Sequence, residues 1–588
     1  MMPAEGTRAR EDGAAGPLTG ALPGPSLLDG RRCRFSVWAP GARRAELRIV
    51  HPYEKTLPLL DEGMGLLAAE ADNVEPGVRY VFRVDGADLP DPASRRQPEG
   101  PEGPSEVVDP RFWWTEAYWC GLPLQDLVLY ELHIAAFTPE GTLSAAAAPE
   151  RLRALKDLGV TALLLLPVME HSPGDRDWGY GSPFPYSVDH RYGEPADLKR
   201  LVDSAHRLGM AVVLDLPFSR PSGDGGCLPR YGPYLRGPGC AGYNLDGADS
   251  DEARGFLLGS ARMWLEEFRV DALRLRRADE LEDRSPFPFL EELGEAVHAF
   301  SRASNRLCYL LAHSARNDAR LVRQRELGGL GLDAVADADF QHALWALLSG
   351  ERLGVHQDFG RLSDLAKAYA EGFVFTGQRS DHLRRRHGTP SASIPPRRLL
   401  VCSRDHEAVA DGGRSAGSLS YEALKLAAGA VLLSPYLPLV FMGEEYAETA
   451  PFERPLDERA ATRCRLDWSA RAKPKPSVLA GLHAELLRLR RTHPALKDSG
   501  RERPRVVALE DQDTLLLVRE GLFAALHFGD LPLAARLPVP PGNWSRLVDS
   551  SDERWGGGGS ASPAAVGVSG SAAMTLQPKS FVVYEKRG

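Results

Sequence analysis

The segment PADLKRLVDSAHRLGMAVVLDL, residues 195–216, decides the fold of this chain. Its first part opens with a proline, which suits the first turn of a helix. The apolar residues that recur on one face of this helix are Leu198, Leu201, Val202, Ala205 and Leu208. Its second part, residues 211–216, is a short apolar run of the kind found in parallel strands that are covered on both faces. The segment therefore predicts a helix followed by a buried parallel strand.

The same helix and strand pattern recurs along the middle of the chain. The candidate strands are residues 127–134, 161–168, 211–216, 272–276, 306–314, 334–339, 399–406 and 437–443. Strands that alternate with helices in this way predict a (β/α)8 TIM barrel with long insertions, which is an α/β fold. In such a barrel the chemistry lies at the carboxyl ends of the strands.

The sequence before and after the barrel predicts antiparallel β structure. Before it, residues 34–38, 45–50 and 79–84 alternate between apolar and polar, and Asp85-Gly86 is a hairpin signal. These features predict a small immunoglobulin-like β-sandwich that resembles a carbohydrate-binding module. After the barrel, short strands are expected at residues 505–509, 514–519, 522–526 and 573–584, with the glycines of 556–559 in a flexible loop. We expect a disordered tail at 1–32, the sandwich at 33–110, the barrel at 111–495 and a C-terminal β domain at 496–588.

Composition excludes several classes of protein. A net charge of -9 disfavours nonspecific binding of nucleic acid. Residues 1–28 have no apolar core segment of a secretory signal, and the apolar stretch 427–443 is broken by prolines, so we expect no membrane anchor and a cytoplasmic location. The scattered cysteines are expected to be reduced and mostly buried: Cys33, Cys120, Cys227, Cys240, Cys308, Cys402 and Cys464. Dispersed histidines and the lack of a phosphate-binding glycine motif predict no metal and no cofactor.

Several motifs, in this order and spacing, resemble one family. They are Tyr130-Glu131-Leu132-His133, Phe137-Thr138-Pro139-Glu140-Gly141-Thr142, Trp178-Gly179-Tyr180, Tyr192-Gly193, Arg230-Tyr231-Gly232-Pro233-Tyr234, Arg384-Arg385-Arg386-His387-Gly388 and Phe441-Met442-Gly443-Glu444-Glu445-Tyr446. Together they resemble the malto-oligosyltrehalose trehalohydrolases of glycoside hydrolase family 13, in the α-amylase superfamily. The resemblance covers roughly residues 33–587. It implies hydrolysis of the α-1,4 bond next to a terminal trehalose unit, with retention at the anomeric carbon.

The resemblance also identifies the positions at which this chain departs from the family's pattern. A retaining enzyme needs a nucleophilic carboxylate and an acid/base carboxyl about 5–5.5 Å away. The nucleophile's position, two residues after the retained Arg274, is Arg276. The acid/base position is His313, and the position of the transition-state aspartate is Glu407, after the retained His406. Asp215 is also retained, whereas the Asn-His pair that follows it in the family becomes Ser219-Arg220 and an acid after Tyr180 becomes Gly181.

These changes remove the negative charge that hydrolysis requires at the catalytic positions. The family's three acids contribute -3, whereas Arg276, a neutral His313 and Glu407 contribute +1, 0 and -1, so the sum changes from -3 to 0. Positive charge opposes the cation that develops at the anomeric carbon. Nearby acids give little prospect of rescue, because Asp279 and Glu280 lie about one helical turn, ~5.4 Å, from the required position and an error of about 1 Å matters. The side chain of Asp405 is expected on the opposite side of its strand.

Two further sets of side chains leave alternatives open. Trp178 and Tyr180 could stack on glucose rings, or they could be packing residues at the barrel rim. Arg274, Arg276, Arg277, Arg220 and Arg404 could form a cationic mouth for phosphate or carboxylate. The other interpretation is internal pairing of Arg276 with Glu407 and of Arg274 with Asp215, which buried charges favour.

Three functions are therefore compatible with the sequence. The first is a catalytically silent homologue that binds α-glucan or a small sugar, or that regulates an enzyme partner of trehalose or glycogen metabolism. The second is a glycoside hydrolase with altered chemistry that uses His313 and Glu407. The third is a sensor of an anionic sugar.

Overall fold

The protein has 588 residues, and its computed structural model describes residues 22–587 apart from 29–30, 117, 173–177, 220, 222–224, 238–241, 411–417, 453–461 and 498–502. Arg220 and Cys240 therefore lie outside the described residues, as does most of the predicted N-terminal tail. In the described part of the chain, no helix is long and apolar enough to cross a membrane.

The first β layer pair precedes the barrel. Its strands are β1 (Ser26–Leu27), β2 (Arg32–Trp38), β3 (Ala45–His51), β4 (Lys55–Pro58), β5 (Leu60–Asp61), β6 (Leu66–Asp72), β7 (Arg79–Val84), β8 (Ala87–Leu89) and β9 (Ser105–Glu106). One sheet has the order β1-β2-β6-β5, and the other has the order β4-β3-β7-β8 with β9 also paired to β7. The predicted hairpin forms, because Asp85 and Gly86 both adopt positive φ between the antiparallel strands β7 and β8.

The predicted barrel is present and closed. Its strands are β10 (Leu129–Leu132), β11 (Ala162–Leu165), β12 (Ala211–Leu216), β13 (Ala272–Leu275), β14 (Tyr309–Ala312), β15 (Ala334–Ala336), β18 (Leu399–Val401) and β19 (Leu437–Phe441). All are parallel, and β19 closes the barrel by pairing with β10. A short hairpin of β16 (Arg379–Ser380) and β17 (Arg385–Arg386) lies between β15 and β18 in the chain.

Helices surround the strands. They are α1 (Ile134–Phe137), α2 (Leu143–Ala146), α3 (Pro149–Leu158), α4 (Pro195–Arg207), α5 (Leu228–Tyr231), α6 (Ser250–Glu266), α7 (Phe289–Ser304), α8 (Ala338–Ser349), α9 (Leu362–Glu371), α10 (His406–Ala410) and α11 (Tyr421–Leu432), followed by Pro474–Thr492 and Pro494–Lys497. Helix α4 begins where the sequence predicts it. Pro195 occupies its first turn, and the Asp197 carboxylate accepts a hydrogen bond from the Glu194 N–H at 2.7 Å.

The C-terminal part is antiparallel, as predicted. Its strands are β20 (Arg505–Leu509), β21 (Thr514–Arg519), β22 (Leu522–His527), β23 (Leu533–Leu537), β24 (Gly542–Asp549), β25 (Ala565–Val568), β26 (Ala572–Leu576) and β27 (Ser580–Lys586). One sheet has the order β20-β21-β22-β27-β24-β25, and β23 pairs with β26. The predicted strand at 573–584 is wrong as a single element, because a turn at residues 577–579 divides it into β26 and β27.

The structure also tests the predictions for the N-terminal tail and for the cysteines. Strand β1 lies inside the predicted disordered tail and pairs with β2, so that prediction is wrong for Ser26 and Leu27. Among the described cysteines, all six are free thiols, and only Cys120 is exposed. The burial of the other five agrees with the prediction of reduced, mostly buried cysteines.

Candidate active site at the carboxyl ends of the barrel strands

The period of two along a strand places the site residues. Ala211 and Val213 of β12 belong to an apolar cluster that also contains Ala272 of β13 and Leu311 of β14. The residues two positions further along these strands share the same face, because side chains alternate across a strand. Asp215, Arg274 and His313 follow in this way, and Arg276 comes two residues after Arg274. The apolar cluster therefore continues, toward the carboxyl ends of the strands, into a polar layer.

The inner part of that layer is a closed ion-pair network around Arg274. Its guanidinium donates to Asp215 on the neighbouring strand and to Glu131 of β10, the latter at 2.8 Å. Glu131 also accepts from the His406 N–H at 2.9 Å and lies 3.0 Å from His406 Nδ1. Burial raises the pKa of Glu131, but the charges of His406 and Arg274 outweigh it and lower the pKa to about 2. The predicted pair of Arg274 with Asp215 is confirmed, and Glu131 completes it.

Tyr180 covers this inner network. Its hydroxyl donates to Asp215, and its ring lies between two other groups. His406 stacks beside it with ring centroids 5.4 Å apart, and the Arg276 guanidinium lies 4.2 Å from the ring centroid. The negative face of an aromatic ring attracts a guanidinium at this distance. Tyr180 is 3% exposed, so the side chain packs inside the protein and offers no open face to a sugar.

The outer part of the layer contains Arg276, Glu407 and His313, which the sequence resemblance assigns to the catalytic positions. Arg276 donates from Nε to Glu407 Oε1, so the second predicted ion pair is also confirmed. His313 Nε2 lies 3.8 Å from Glu407 Oε2, and Arg277 Nε lies 3.8 Å from Glu407 Oε1. Burial raises the pKa of Glu407, but the charges of His313 and Arg276 lower it more, so the net pKa lies well below the ordinary value. The structure thus brings Arg276, His313 and Glu407 into one cluster in which Glu407 is an ionised partner.

The neighbouring acids are engaged elsewhere. Asp279 Oδ1 accepts from the Ala315 N–H at 3.2 Å, and Glu280 lies 3.3 Å from Arg277. Asp405 Oδ1 accepts from the Ala408 N–H at 2.9 Å, at the start of α10. Each of these carboxylates therefore already has a hydrogen-bond or ion-pair partner.

Trp178 is a packing residue. It is 1% exposed, and its ring stacks on Phe452 with centroids 3.5 Å apart and an interplanar angle of 16°. His133 of the first strand motif meets it edge-on at 5.0 Å. The structure therefore disagrees with the alternative that Trp178 and Tyr180 stack on glucose, because other side chains already cover their rings.

The alternative that five arginines form an open cationic mouth also disagrees with the structure. Arg220 lies outside the described residues. Of the four arginines that the structure describes, Arg274 and Arg276 are paired and buried, and the Arg277 side chain reaches solvent and is 39% exposed. Arg404 is buried, and burial lowers its pKa despite the charges of Glu444 and Glu445. Sequence reasoning missed Glu131 and Phe452. An acid inside the apolar strand 127–134 was the available signal for Glu131.

One group of side chains among the described residues has ligand atoms close enough for a metal ion: Glu170, Asp189 and His190. Its carboxylates already have cationic or hydrogen-bonding partners. Glu170 accepts from the His190 N–H at 3.0 Å, and Asp189 accepts from Arg191 Nε at 2.8 Å. Burial raises the pKa of Glu170 to about 7, and His190 Nδ1 lies 3.0 Å from its carboxylate. The cluster is therefore an internal polar network.

Comparison with known proteins agrees with the geometry. Residues 140–222 match the family described as alpha amylase, catalytic domain. The malto-oligosyltrehalose trehalohydrolase of Rhizobium sp. (strain M-11) is 36% identical over 86% of this chain and 92% of its own length. That of Saccharolobus solfataricus is 37% identical over 72% of this chain and 75% of its own length.

Solved structures share the fold over nearly the whole chain. The crystal structure of a candidate alpha amylase from Salmonella typhimurium has a TM-score of 0.82 at 27% identity, over 96% of this chain and 99% of that one. A pullulanase from Anoxybacillus sp. LM18-11 complexed with maltotetraose has a TM-score of 0.71 at 17% identity, over 96% of this chain and 87% of that one. By these relationships and by its barrel, the chain belongs to the malto-oligosyltrehalose trehalohydrolase family of the α-amylase superfamily.

Proposed function

We propose that this chain is a catalytically silent member of its family, which binds an α-glucan or a small sugar ligand at the barrel mouth without cleaving it. In this role it regulates or positions an enzyme partner of trehalose or glycogen metabolism in the cytoplasm. The observation that carries the proposal is the buried Arg276–Glu407 ion pair, and the proposal takes Arg276 to stand at the position to which the family's pattern assigns the nucleophilic carboxylate. Losing a nucleophile costs many orders of magnitude in rate, and the remaining groups of a catalytic set do not compensate.

Burial strengthens this interpretation. The Arg276 side chain is 3% exposed and lies against Tyr180, so it has no room to swing into solvent without breaking its contacts. Its positive charge would oppose an oxocarbenium-like transition state. The low pKa of Glu407 keeps that carboxylate ionised and bound to Arg276 rather than available as a proton donor.

The second candidate, hydrolysis by His313 and Glu407, fits the distances poorly. An inverting enzyme keeps its two catalytic groups about 6.5–9.5 Å apart, to leave room for water and the sugar. His313 Nε2 and Glu407 Oε2 are 3.8 Å apart, which is contact distance for an ion pair. Neither the sugar carbon nor a water molecule fits between them.

The third candidate, an anionic-sugar sensor at the mouth, has little charge to use. Glu407 neutralises Arg276, and Glu280 lies beside the exposed Arg277. A neutral glucan suits such a surface better than an anion does. The partly exposed Glu407 and Arg277 side chains offer an acceptor and a donor for sugar hydroxyls.

Calorimetry on the full chain tests the binding half of the proposal. Maltotetraose is expected to bind, and the sugar recovered afterwards is expected to be intact. Arg277→Ala should weaken binding at least tenfold, because a charged hydrogen bond contributes roughly 1.5–3 kcal/mol. Arg488→Ala is the matched control, since Arg488 is an exposed arginine that pairs with Glu485 on the helix Pro474–Thr492.

The outcomes are distinguishable. No heat with maltotetraose would remove glucan binding from the proposal. Equal loss of affinity in Arg277→Ala and Arg488→Ala would show that the ligand does not use the barrel mouth. Shortened sugar after incubation would contradict catalytic silence.

A further inference from the structure

A pocket with two lysines in its wall lies far along the chain from the barrel site, where helix α11 meets the C-terminal β domain. Its volume is about 370 Å³, and its walls come from α11, from the loop after β24 and from the turn before β27. The groups that matter for its chemistry are Lys425, Lys579, Ser551, Gly558 and Glu422. A volume of this size is within the range of small-ligand sites.

Lys425 supplies a buried positive charge. It is 1% exposed, and its ammonium donates to the carbonyl oxygens of Ser550, at 2.6 Å, and Trp555, at 3.4 Å. Within the described residues it has no carboxylate partner at ion-pair distance. Buried charges are normally paired. Burial accordingly lowers the pKa of Lys425.

The glycine-rich loop supplies an open backbone donor. Gly557 and Gly559 donate their N–H groups to the carbonyls of Asp552 and Ser551, which shapes the loop. The Gly558 N–H, between them, donates to no group in the described part of the chain. A Cβ added at Gly558 would meet nothing within 4 Å, so the backbone there borders open space. The Gly558 N–H can therefore donate one hydrogen bond to an anion in the pocket.

Lys579 and Glu422 also contribute to the charge of the pocket. Lys579 is mostly buried and donates to the Phe528 carbonyl, and its only acidic neighbour in the described residues is the exposed Asp530, at 3.4 Å. Glu422 is the one carboxylate in the pocket wall, and it is exposed. Solvent and salt screen an exposed charge more than a buried one. Lys425 and Lys579 contribute +2, and the exposed carboxylates of Glu422 and Asp530 contribute -2, so the positive half of the balance is the buried and less screened one.

We infer that this pocket is a binding site for a phosphate-class oxyanion, held by Lys425, Lys579, the Ser551 hydroxyl and the Gly558 N–H. The oxyanion is inorganic phosphate or the phosphate group of a small monoester. Lysine and backbone N–H groups are the usual donors for such anions. Because the pocket joins the barrel helix α11 to the C-terminal sheet, its occupant stabilises the contact between those two parts of the molecule.

Titration calorimetry on the full chain tests the inference. Inorganic phosphate and methyl phosphate are titrated separately at constant ionic strength, up to about 10 mM, with chloride as the reference anion. Binding of either phosphate, with a matching rise in the melting temperature, is the expected result. A preference for one of the two identifies the source of the anion.

Variants locate the site. Gly558→Asp should abolish binding and Gly558→Ala should retain it, because both side chains enter open space but only the first carries a negative charge. Lys425→Met should weaken binding at least tenfold. Lys199→Met should leave binding unchanged, since Lys199 is another buried lysine with a pKa lowered by burial, outside this pocket. Glu422→Gln should tighten binding.

The contrary results are equally definite. Absence of binding to the wild-type chain would overturn the inference. Binding that survives unchanged in both Gly558→Asp and Lys425→Met would do the same. If Lys425→Met fails to fold, the pair Gly558→Asp and Gly558→Ala decides the question alone. None of these outcomes depends on the sugar bound at the barrel mouth.

Discussion

Arg276 is held by Glu407 on one side and by the ring of Tyr180 on another. The sequence predicted the arginine's effect on charge and its pairing with Glu407. It could not predict the cation–π contact, because Tyr180 reaches the site from a distant loop. The same applies to Phe452, whose stacking on Trp178 converts a candidate sugar platform into packing.

Removing one partner of this ion pair should destabilise the fold. Arg276→Met leaves the Glu407 carboxylate without its guanidinium, in a place where it is only 22% exposed. We expect a loss of about 2 kcal/mol in the free energy of unfolding. Urea denaturation measures it, and the double variant Arg276→Met/Glu407→Gln should recover part of the loss. If both variants unfold like the wild-type chain, the pair has no structural role.

Glu131 should give the protein a defined sensitivity to acid. Its pKa is lowered from 4.5 to about 2, so its contribution to stability is complete above pH 4.5 and is lost as the pH falls toward 2. The wild-type chain should therefore exceed Glu131→Gln in melting temperature at pH 7, and the difference should shrink below pH 4.5. A difference that stays constant between pH 7 and pH 3.5 would show that ionisation of Glu131 is not involved.

At the scale of elements, short apolar runs located every barrel strand. Each observed strand falls inside its predicted range, for example β14 inside 306–314. The alternation rules failed for β23, β24 and β25. These strands lie in a segment rich in glycine, proline and polar residues, where the sheet is stabilised by contacts with distant strands.

Gly388, in the loop after β17, lies where a side chain would be both strained and crowded. Gly388 has a φ of +75°, and a Cβ there would lie 1.8 Å from the Phe375 carbonyl oxygen. Gly388→Ala should therefore cost more than about 2 kcal/mol of stability, from strain and clash together. Gly521 is the matched control, with a φ of +76° and nothing within 4 Å of the added Cβ.

The Gly521→Ala control separates the cost of backbone strain from the cost of the steric clash. Gly521→Ala should cost only about 1 kcal/mol, because it carries the backbone strain without the clash. Thermal unfolding of both variants gives the comparison. Equal losses would mean that the loop at Gly388 moves freely enough to accept a side chain.

At the scale of the whole molecule, the barrel and the C-terminal β domain share a packed contact. A Cβ at Gly429, inside α11, would lie 2.6 Å from the ring of Phe581 on β27. Gly429→Ala should therefore destabilise the protein by about 1–3 kcal/mol, although alanine is the better helix former. Differential scanning calorimetry measures the change.

A second helical glycine provides the contrast. A Cβ at Gly481, in the helix Pro474–Thr492, would lie 3.6 Å from Trp555, which is ordinary contact. Gly481→Ala should stabilise the protein by about 0.5–1 kcal/mol. Effects of the same sign in the two variants would mean that the α11 and β27 contact does not constrain the assembly. The sequence could not reveal this contact, since the two elements lie far apart along the chain.

Release of trehalose from maltooligosyl trehalose tests the central claim most directly. The full chain is incubated with this substrate at high enzyme concentration, beside Arg276→Ala, His313→Ala and an active trehalohydrolase of the family. We expect no trehalose above the buffer blank from the wild-type chain or its variants, because in the proposed function a guanidinium bound to Glu407 stands in place of the attacking carboxylate. Clear release by the wild-type chain that disappears in the Arg276 and His313 variants would contradict it.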